Sequence, residues 1–465
     1  MIRRVVLAGL ASFAIGGTAL ADEWAAYGRR TASSALPADV EARARLCVAD
    51  HLHAAMHGAR SDTGKLLRRY LGWEANRPSG AVQAETAALY AGSISAVHEI
   101  DDVHQDTSLH PGSVVVAAAM GAAAEADAPG SRLLAAVAAG YEVAVRLSIA
   151  AGHRHYHYFH ATATCGTVGA VAAAATVFDL DEDATAHAIG MAATSASGLW
   201  EGINDEAVMI KHLHPGLAAE RGVRAAKLAR LGLQAARFSI EGDKGFLAAL
   251  AQPGTHAAGE APSRGDLAAI LVDGLGERWA ILRNIFKRYP FCLGCFEPLE
   301  GLRHILSAPP RSASAIAAVL VETSPPTAWL VGQPDPHDEF QAKFSAPYAL
   351  ALVLAGHDVE RVPLPAALLA DPEVRRWISV IRVQPNREFG RRRARVTVTL
   401  KDGSPVSADQ PFRNLDDAGA WARFSRACTG YLGDRGAILE RRVDACSGLA
   451  GMTELMPLVN AAIGR

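Results

Sequence analysis

The chain is short of aromatic residues, short of cysteine and almost without net charge. Phe, Trp and Tyr make up only 6% of its 465 residues, while half are hydrophobic and 20% are charged. That scarcity, beside abundant alanine, argues against a β-sandwich and for a soluble, mainly helical enzyme. A formal net charge of −2 provides no basic footprint, which excludes nucleic acid as a partner. Six cysteines, at 47, 165, 292, 295, 428 and 446, follow no framework spacing and read as reduced. Beyond the amino terminus no apolar run is long enough to span a bilayer without charges or frequent Gly and Pro, so no membrane segment is expected. At this length the chain exceeds one small core, and two domains are expected.

The amino terminus, MIRRVVLAGLASFAIGGTALADEW, places two arginines before an apolar run, and Ala19-Leu20-Ala21 before Asp22 resembles a small-residue cleavage site. Residues 1–21 therefore read as a candidate export signal, with Arg3-Arg4 a loose twin-arginine match. Cleavage would place the mature protein in the periplasm; without it the chain stays cytoplasmic.

What is present in quantity is histidine at helix-opening junctions. The stretch His98–Ala119, HEIDDVHQDTSLHPGSVVVAAA, holds three histidines and four acidic residues in its first thirteen positions, then becomes a small-residue apolar run. Pro111-Gly112-Ser113 predicts a loop ending at a helix N-terminus, with Ser113 or the preceding turn as cap. His110 then sits at the positive end of a helix, a place that suits an anionic ligand because free N–H groups and the helix dipole both favour negative charge.

A second junction, GHRHYHYFHATATCGTVGAVAAAATVF at 152–178, carries His153, His155, His157 and His160 ahead of Thr162. Their H-x-H-x-H-x-x-H spacing in an irregular segment, with no matching cysteine or carboxylate set, points away from a metal centre. The third, within residues 199–233, sets Lys211, His212 and His214 before Pro215-Gly216 and an amphipathic helix. A lysine near a helix start faces a repulsive dipole unless an anion is close.

Helical spacing also marks 36–58, 81–96, 131–149 and 184–198. After about residue 265 the texture changes: 313–322, 378–384, 393–400 and 404–408 read as strands, with Lys401-Asp402-Gly403 as a hairpin turn and helices at 344–355 and 365–377. From Ala418 the alanine-bearing helical texture returns. The expected fold is mainly α: a large all-helical domain built from both chain ends, 22–265 and 410–465, with a smaller α+β domain at 266–409.

Taken together, HEIDD with TSLHPGSVVVAAA, GYEVAVRLS, FHATATCGTVGAVAAAA, KHLHPGLAAERG, EGDKGF, KRYPFC and FSAPYALA resemble the 2-methylcitrate dehydratase (MmgE/PrpD) family, which includes cis-aconitate decarboxylase and iminodisuccinate epimerase. The resemblance implies a helical domain carrying an α+β lid, an active site between them, a homodimer, and no metal or organic cofactor. It implies Asp102, His110, His160 and Lys211 as catalytic positions. Lys211, Ser113, Thr162, Lys287 and Tyr289 are the candidate substrate-binding residues. The sequence departs from the family where a Thr-His pair is common: it has Cys295-Phe296, which puts 2-methylcitrate itself in doubt as substrate.

The shared chemistry is proton removal from carbon next to a carboxylate, with cations and N–H donors holding the substrate while a tuned imidazole acts. Either His110 or His160 fits the base, and Asp102 would orient a histidine or take a proton itself. A dehydratase acting on a small di- or tricarboxylate is the leading expectation. An epimerase, a decarboxylase and a catalytically depleted polycarboxylate-binding protein are the alternatives.

Overall fold

The computed structural model describes residues 19–73, 82–203, 209–251, 264–307, 312–390 and 392–464. Of the candidate export signal, Ala19, Leu20 and Ala21 fall within these residues and are buried, the Leu20 N–H donating to Glu241 Oε1 at 2.8 Å. The rest of that segment lies outside the described residues.

Among the described residues 63% are helix and 9% strand, a mainly α fold with a small α+β part. In chain order come α1 (Leu20–Ser33), α2 (Ala38–Gly58), α3 (Asp62–Tyr70), α4 (Ala84–Ser95), β1 (Val103–His104) and α5 (Ala117–Ala126). Next are α6 (Gly130–Tyr158), α7 (Ala161–Val177), α8 (Glu182–Ser195), α9 (Ile210–Arg230), α10 (Arg264–Leu271) and β2 (Asn284–Ile285). Then follow α11 (Phe296–Ser307), β3 (Ile316–Thr323), α12 (Pro325–Val331), α13 (Glu339–Lys343), α14 (Ala346–Leu354), α15 (Pro372–Ile378) and strands β4 (Ile381–Pro385), β5 (Ala394–Leu400) and β6 (Pro405–Asp409). The chain closes with α16 (Asp417–Leu432), α17 (Asp434–Asp444) and α18 (Met456–Ala462).

Two compact units result: Met1–Val97 with Asp101–Phe286 and Asp416–Arg465, and His98–Ile100 with Lys287–Leu415. The division differs from the texture boundary at residue 266. Residues 266–286 stay with the helices because Arg146 Nη1 donates to the carbonyls of Ile270 and Asp273, Trp24 Nε1 donates to Leu271, and β2 pairs antiparallel with β1.

The helical unit is packed with small residues. Every residue of α7 is buried, as a helix apolar on all sides requires. Gly130–Gly152 of α6 is long and apolar enough to cross a membrane, yet 94% of its apolar window is covered by the protein; its hydropathy is that of a core helix. At Gly152 the chain takes φ 75°, ψ −177°, a conformation glycine adopts readily, and helix resumes to Tyr158. The His-rich stretch is therefore helical rather than irregular. The last segment returns to this unit: Arg423 Nη2 donates to Asp50 Oδ1 at 2.6 Å, and Arg60 Nη1 to the Ala462 carbonyl at 3.1 Å.

Helix α9 begins at Ile210, so Pro215 falls inside it and Lys211, His212 and His214 are helical rather than ahead of the helix. The reason is packing. Helix α9 lies so close to α4 that a Cβ at Gly216 would come within 2.1 Å of Ser93 Oγ and 2.2 Å of the Leu89 carbonyl oxygen. Gly216→Ala is expected to lower stability by roughly 3 kcal/mol, the upper range for overpacking, because backbone blocks the new methyl. Urea unfolding of the variant within 1 kcal/mol (about a fivefold change in the equilibrium) of the parent would contradict this close crossing.

In the second unit the sheet order is β4-β3-β5-β6, with β3 and β4 parallel and the other pairs antiparallel. Ala394, Val396 and Val398 alternate inward along β5, the period-2 pattern visible in the sequence. The hairpin turn closes with Gly403 at φ 88° and the Leu400 N–H donating to the Ser404 carbonyl.

Candidate active site

The loop from Asp101 to Ser113 owes its shape to one buried carboxylate. Asp102 Oδ1 accepts the Gly112 N–H at 2.8 Å, and Oδ2 accepts the Tyr141 hydroxyl and Asn284 Nδ2, each at 2.5 Å. A Cβ on Gly112 would press on that carboxylate at 2.7 Å, so only glycine fits there. Burial is the largest influence on Asp102 and raises its pKa, the three donors working against it. Among the described residues these partners include no histidine. Asp102 joins the loop, α6 and β2.

The carboxylate beside a histidine is Asp101, whose Oδ2 lies 3.2 Å from His110 Nδ1 at ion-pair distance. His110 itself is held by its backbone. Its N–H donates to Thr162 Oγ1 at 3.1 Å, and its carbonyl accepts the Ser113 hydroxyl at 3.1 Å. Ser113 is inside the helical turn Gly112–Val116 rather than its cap. Both hydroxyls, expected to bind substrate, are fully buried and serve to place His110.

His160 is the residue preceding α7 and begins that helix, its N–H donating to the Gly198 carbonyl at 2.9 Å. Its ring lies flat on Trp200, with centroids 4.5 Å apart and planes within 8°. On one side the His110 ring is 6.4 Å away; on the other His160 Nδ1 meets His214 Nδ1 at 3.1 Å. His160 Nε2 is buried and has no hydrogen-bond partner among the described residues. Burial first, then the charges His214 and His110 would carry, hold the His160 pKa well below the usual imidazole value. Burial, then Lys211 and Arg221, lower His214 to about 4.

Lys211 is buried in the first turn of α9, three residues before His214 and so on the same helix face. Lys287 and Tyr289 belong to the second unit. There Lys287 Nζ pairs with Glu99 Oε2 at 2.8 Å, while the Tyr289 hydroxyl donates to Glu300 Oε1 at 2.5 Å and accepts from Arg303. Phe296 packs its ring on Tyr289, with centroids 5.0 Å apart. Cys292 and Cys295 are buried thiols; burial raises the Cys295 pKa well above its ordinary value.

The other histidines of the second junction go separate ways. His155 Nε2 meets Thr164 Oγ1 at 2.7 Å and Nδ1 meets the Leu250 carbonyl at 3.2 Å, while His157 stands edge-on to Tyr158. Among the described residues no three His, Cys, Asp or Glu side chains are grouped to hold a metal ion.

The structure thus gathers His110 and His160 of the expected set, with Thr162 and Ser113 behind them and Lys211 close to His214. It adds Asp101, His214 and Trp200. His214 was legible as the i+3 neighbour of Lys211; two adjacent aspartates carry no spacing signal that separates Asp101 from Asp102.

Three proteins of Aspergillus are similar. A cis-aconitate decarboxylase of Aspergillus terreus is 23% identical over 59% of this chain and 57% of its own length. Another, from Aspergillus terreus strain NIH 2624, is 24% identical over 84% of both chains. The cis-aconitate decarboxylase-like protein oryM of Aspergillus oryzae is 27% identical over 58% of each. The matched region thus spans little more than half the length of two of these relatives. Residues 22–258 match the MmgE/PrpD N-terminal domain and residues 289–444 the MmgE/PrpD C-terminal domain, so the chain belongs to the MmgE/PrpD family.

Proposed function

We propose that the protein is a lyase acting on a small di- or tricarboxylate, beginning with removal of a proton from carbon next to a carboxylate. The observation that carries this reading is a pair of neighbouring imidazoles in opposite electrostatic settings. His160 is buried against Trp200 and His214 with an open Nε2, an environment that favours the neutral ring. His110 has the Asp101 carboxylate 3.2 Å from its Nδ1, placed to offset a positive charge when that ring holds a second proton. A carboxylate beside one ring and an open nitrogen on the other fit the two to act as acid and base. His160 takes the α-proton, and His110 protonates the leaving hydroxyl. Lys211 holds a carboxylate, and the positive amino-terminal end of α7 beside His160 favours the enediolate charge.

This division suits dehydration, which needs both an acid and a base. Decarboxylation is the second reading, favoured by the names of the relatives; there an acid alone protonates the rearranging carbon. The test is ¹H NMR in D₂O with cis-aconitate, citrate and 2-methylcitrate, with released CO₂ measured in parallel. Turnover without CO₂ supports the dehydratase, and itaconate-type products with CO₂ support the decarboxylase. Binding of these acids without turnover or α-proton exchange would replace the lyase with a binding protein.

A further inference from the structure

We propose that His214 is a positioning residue that fixes the tautomer of His160, so that His160 Nε2 presents a lone pair to the substrate. The proposal rests on the lyase reading above and names what prepares its base. Two neutral imidazoles whose Nδ1 atoms stand 3.1 Å apart share one proton: two N–H groups would collide and two lone pairs would repel. If His160 donates, its Nε2 is unprotonated. If His214 donates, His160 Nε2 carries the hydrogen instead.

The surroundings select between these states. His160 Nε2 is buried without a partner among the described residues. A buried N–H lacking an acceptor is the costlier orphan, whereas an unfilled lone pair is better tolerated. The first state, His160 Nδ1–H donating to His214, follows. His214 must then keep its own Nδ1 unprotonated. Lys211 and Arg221 on its helix oppose a positive charge there, and His160 faces it from the start of α7. The stack on Trp200 and the contact with His214 restrain the His160 ring from turning over to exchange its nitrogens.

In the reaction the C–H electron pair stays on carbon as the enediolate and the proton moves to His160 Nε2. Nδ1–H remains directed at the His214 lone pair throughout. His160 is restored when that proton passes to water or to the product.

The experiment uses the full-length protein labelled with ¹⁵N-histidine, the His160 resonances being assigned by their loss in His160→Gln. Wild type should show His160 protonated at Nδ1. His214→Asn, which retains an acceptor near the Nδ1 position, should preserve that tautomer, and His214→Phe should lose it. With whichever polycarboxylate the wild type turns over, His214→Phe should lower kcat by on the order of 10- to 100-fold, the scale of a misplaced catalytic group. KM should move less than roughly threefold, and His214→Asn should recover most of the rate. His160 protonated at Nε2 in wild type, or an unchanged tautomer and kcat in His214→Phe, would overturn the proposal. If the wild type turns over no polycarboxylate, the lyase reading fails while the spectra still decide the tautomer.

Discussion

Replacing His160 with glutamine should cut turnover by ~10²-fold or more while ligand affinity changes little, because general acid–base assistance is of that size and acts in the transition state. Glutamine keeps a polar group beside Trp200 and His214 but cannot take a proton from carbon. The pH profile provides an independent check. Burial, and secondarily the neighbouring histidines, hold the His160 pKa well below its ordinary value of 6.5. With His160 as the proposed base the active form is the neutral ring, so kcat/KM should remain on its plateau as pH falls past 6.5 and decline only through the lowered pKa. An acid limb at or above pH 6.5 that persists in His160→Gln would assign the base elsewhere, and retained turnover in that variant would do the same.

Asp102→Ala should cost about 3–5 kcal/mol, the penalty for stripping one partner from a buried charged network. Three donors lose their acceptor at once: the Gly112 N–H, the Tyr141 hydroxyl and Asn284 Nδ2. None can turn to water, since Tyr141, Asn284 and Gly112 are all buried. Chemical denaturation followed by circular dichroism measures the loss. A change under about 1 kcal/mol, the worth of a single ordinary hydrogen bond, would show that the loop at His110 is held by something other than this carboxylate.

Much of the fold was legible because period reports burial. The alternation at 393–400 became β5, and the Gly-containing turn after it became a hairpin. Small-residue runs became α5 and α7, and their apolarity on every side announced burial. What local pattern could not carry was long-range pairing. Residues 266–286 join the helical unit through Arg146, Trp24 and Asp102, all far away in sequence. The site was legible to the same degree. His110 and His160 stand out at helix starts, but that Asp101 rather than Asp102 lies beside His110 was not legible, because the side chain reaching Tyr141 is a matter of tertiary placement. Ser113 and Thr162 were found as polar residues at the right helix ends; the Ser113 hydroxyl donates to the His110 carbonyl and Thr162 Oγ1 accepts the His110 N–H.

The route of the chain through the helical unit has a consequence for synthesis. Asp50 waits for Arg423, and Arg60 for the carbonyl of Ala462, while the whole of Lys287–Leu415 is made in between. At ribosomal rates of ~5–20 residues per second, the 373 positions from Asp50 to Arg423 take roughly 20 to 75 seconds. Throughout that interval the nascent helices hold a buried carboxylate without its cation and an apolar flank without α16 to cover it. The emerging amino-terminal segment is thus a natural client for chaperones that shield apolar surface, and a ribosome stalled before residue 416 should yield a chain that protease clears quickly.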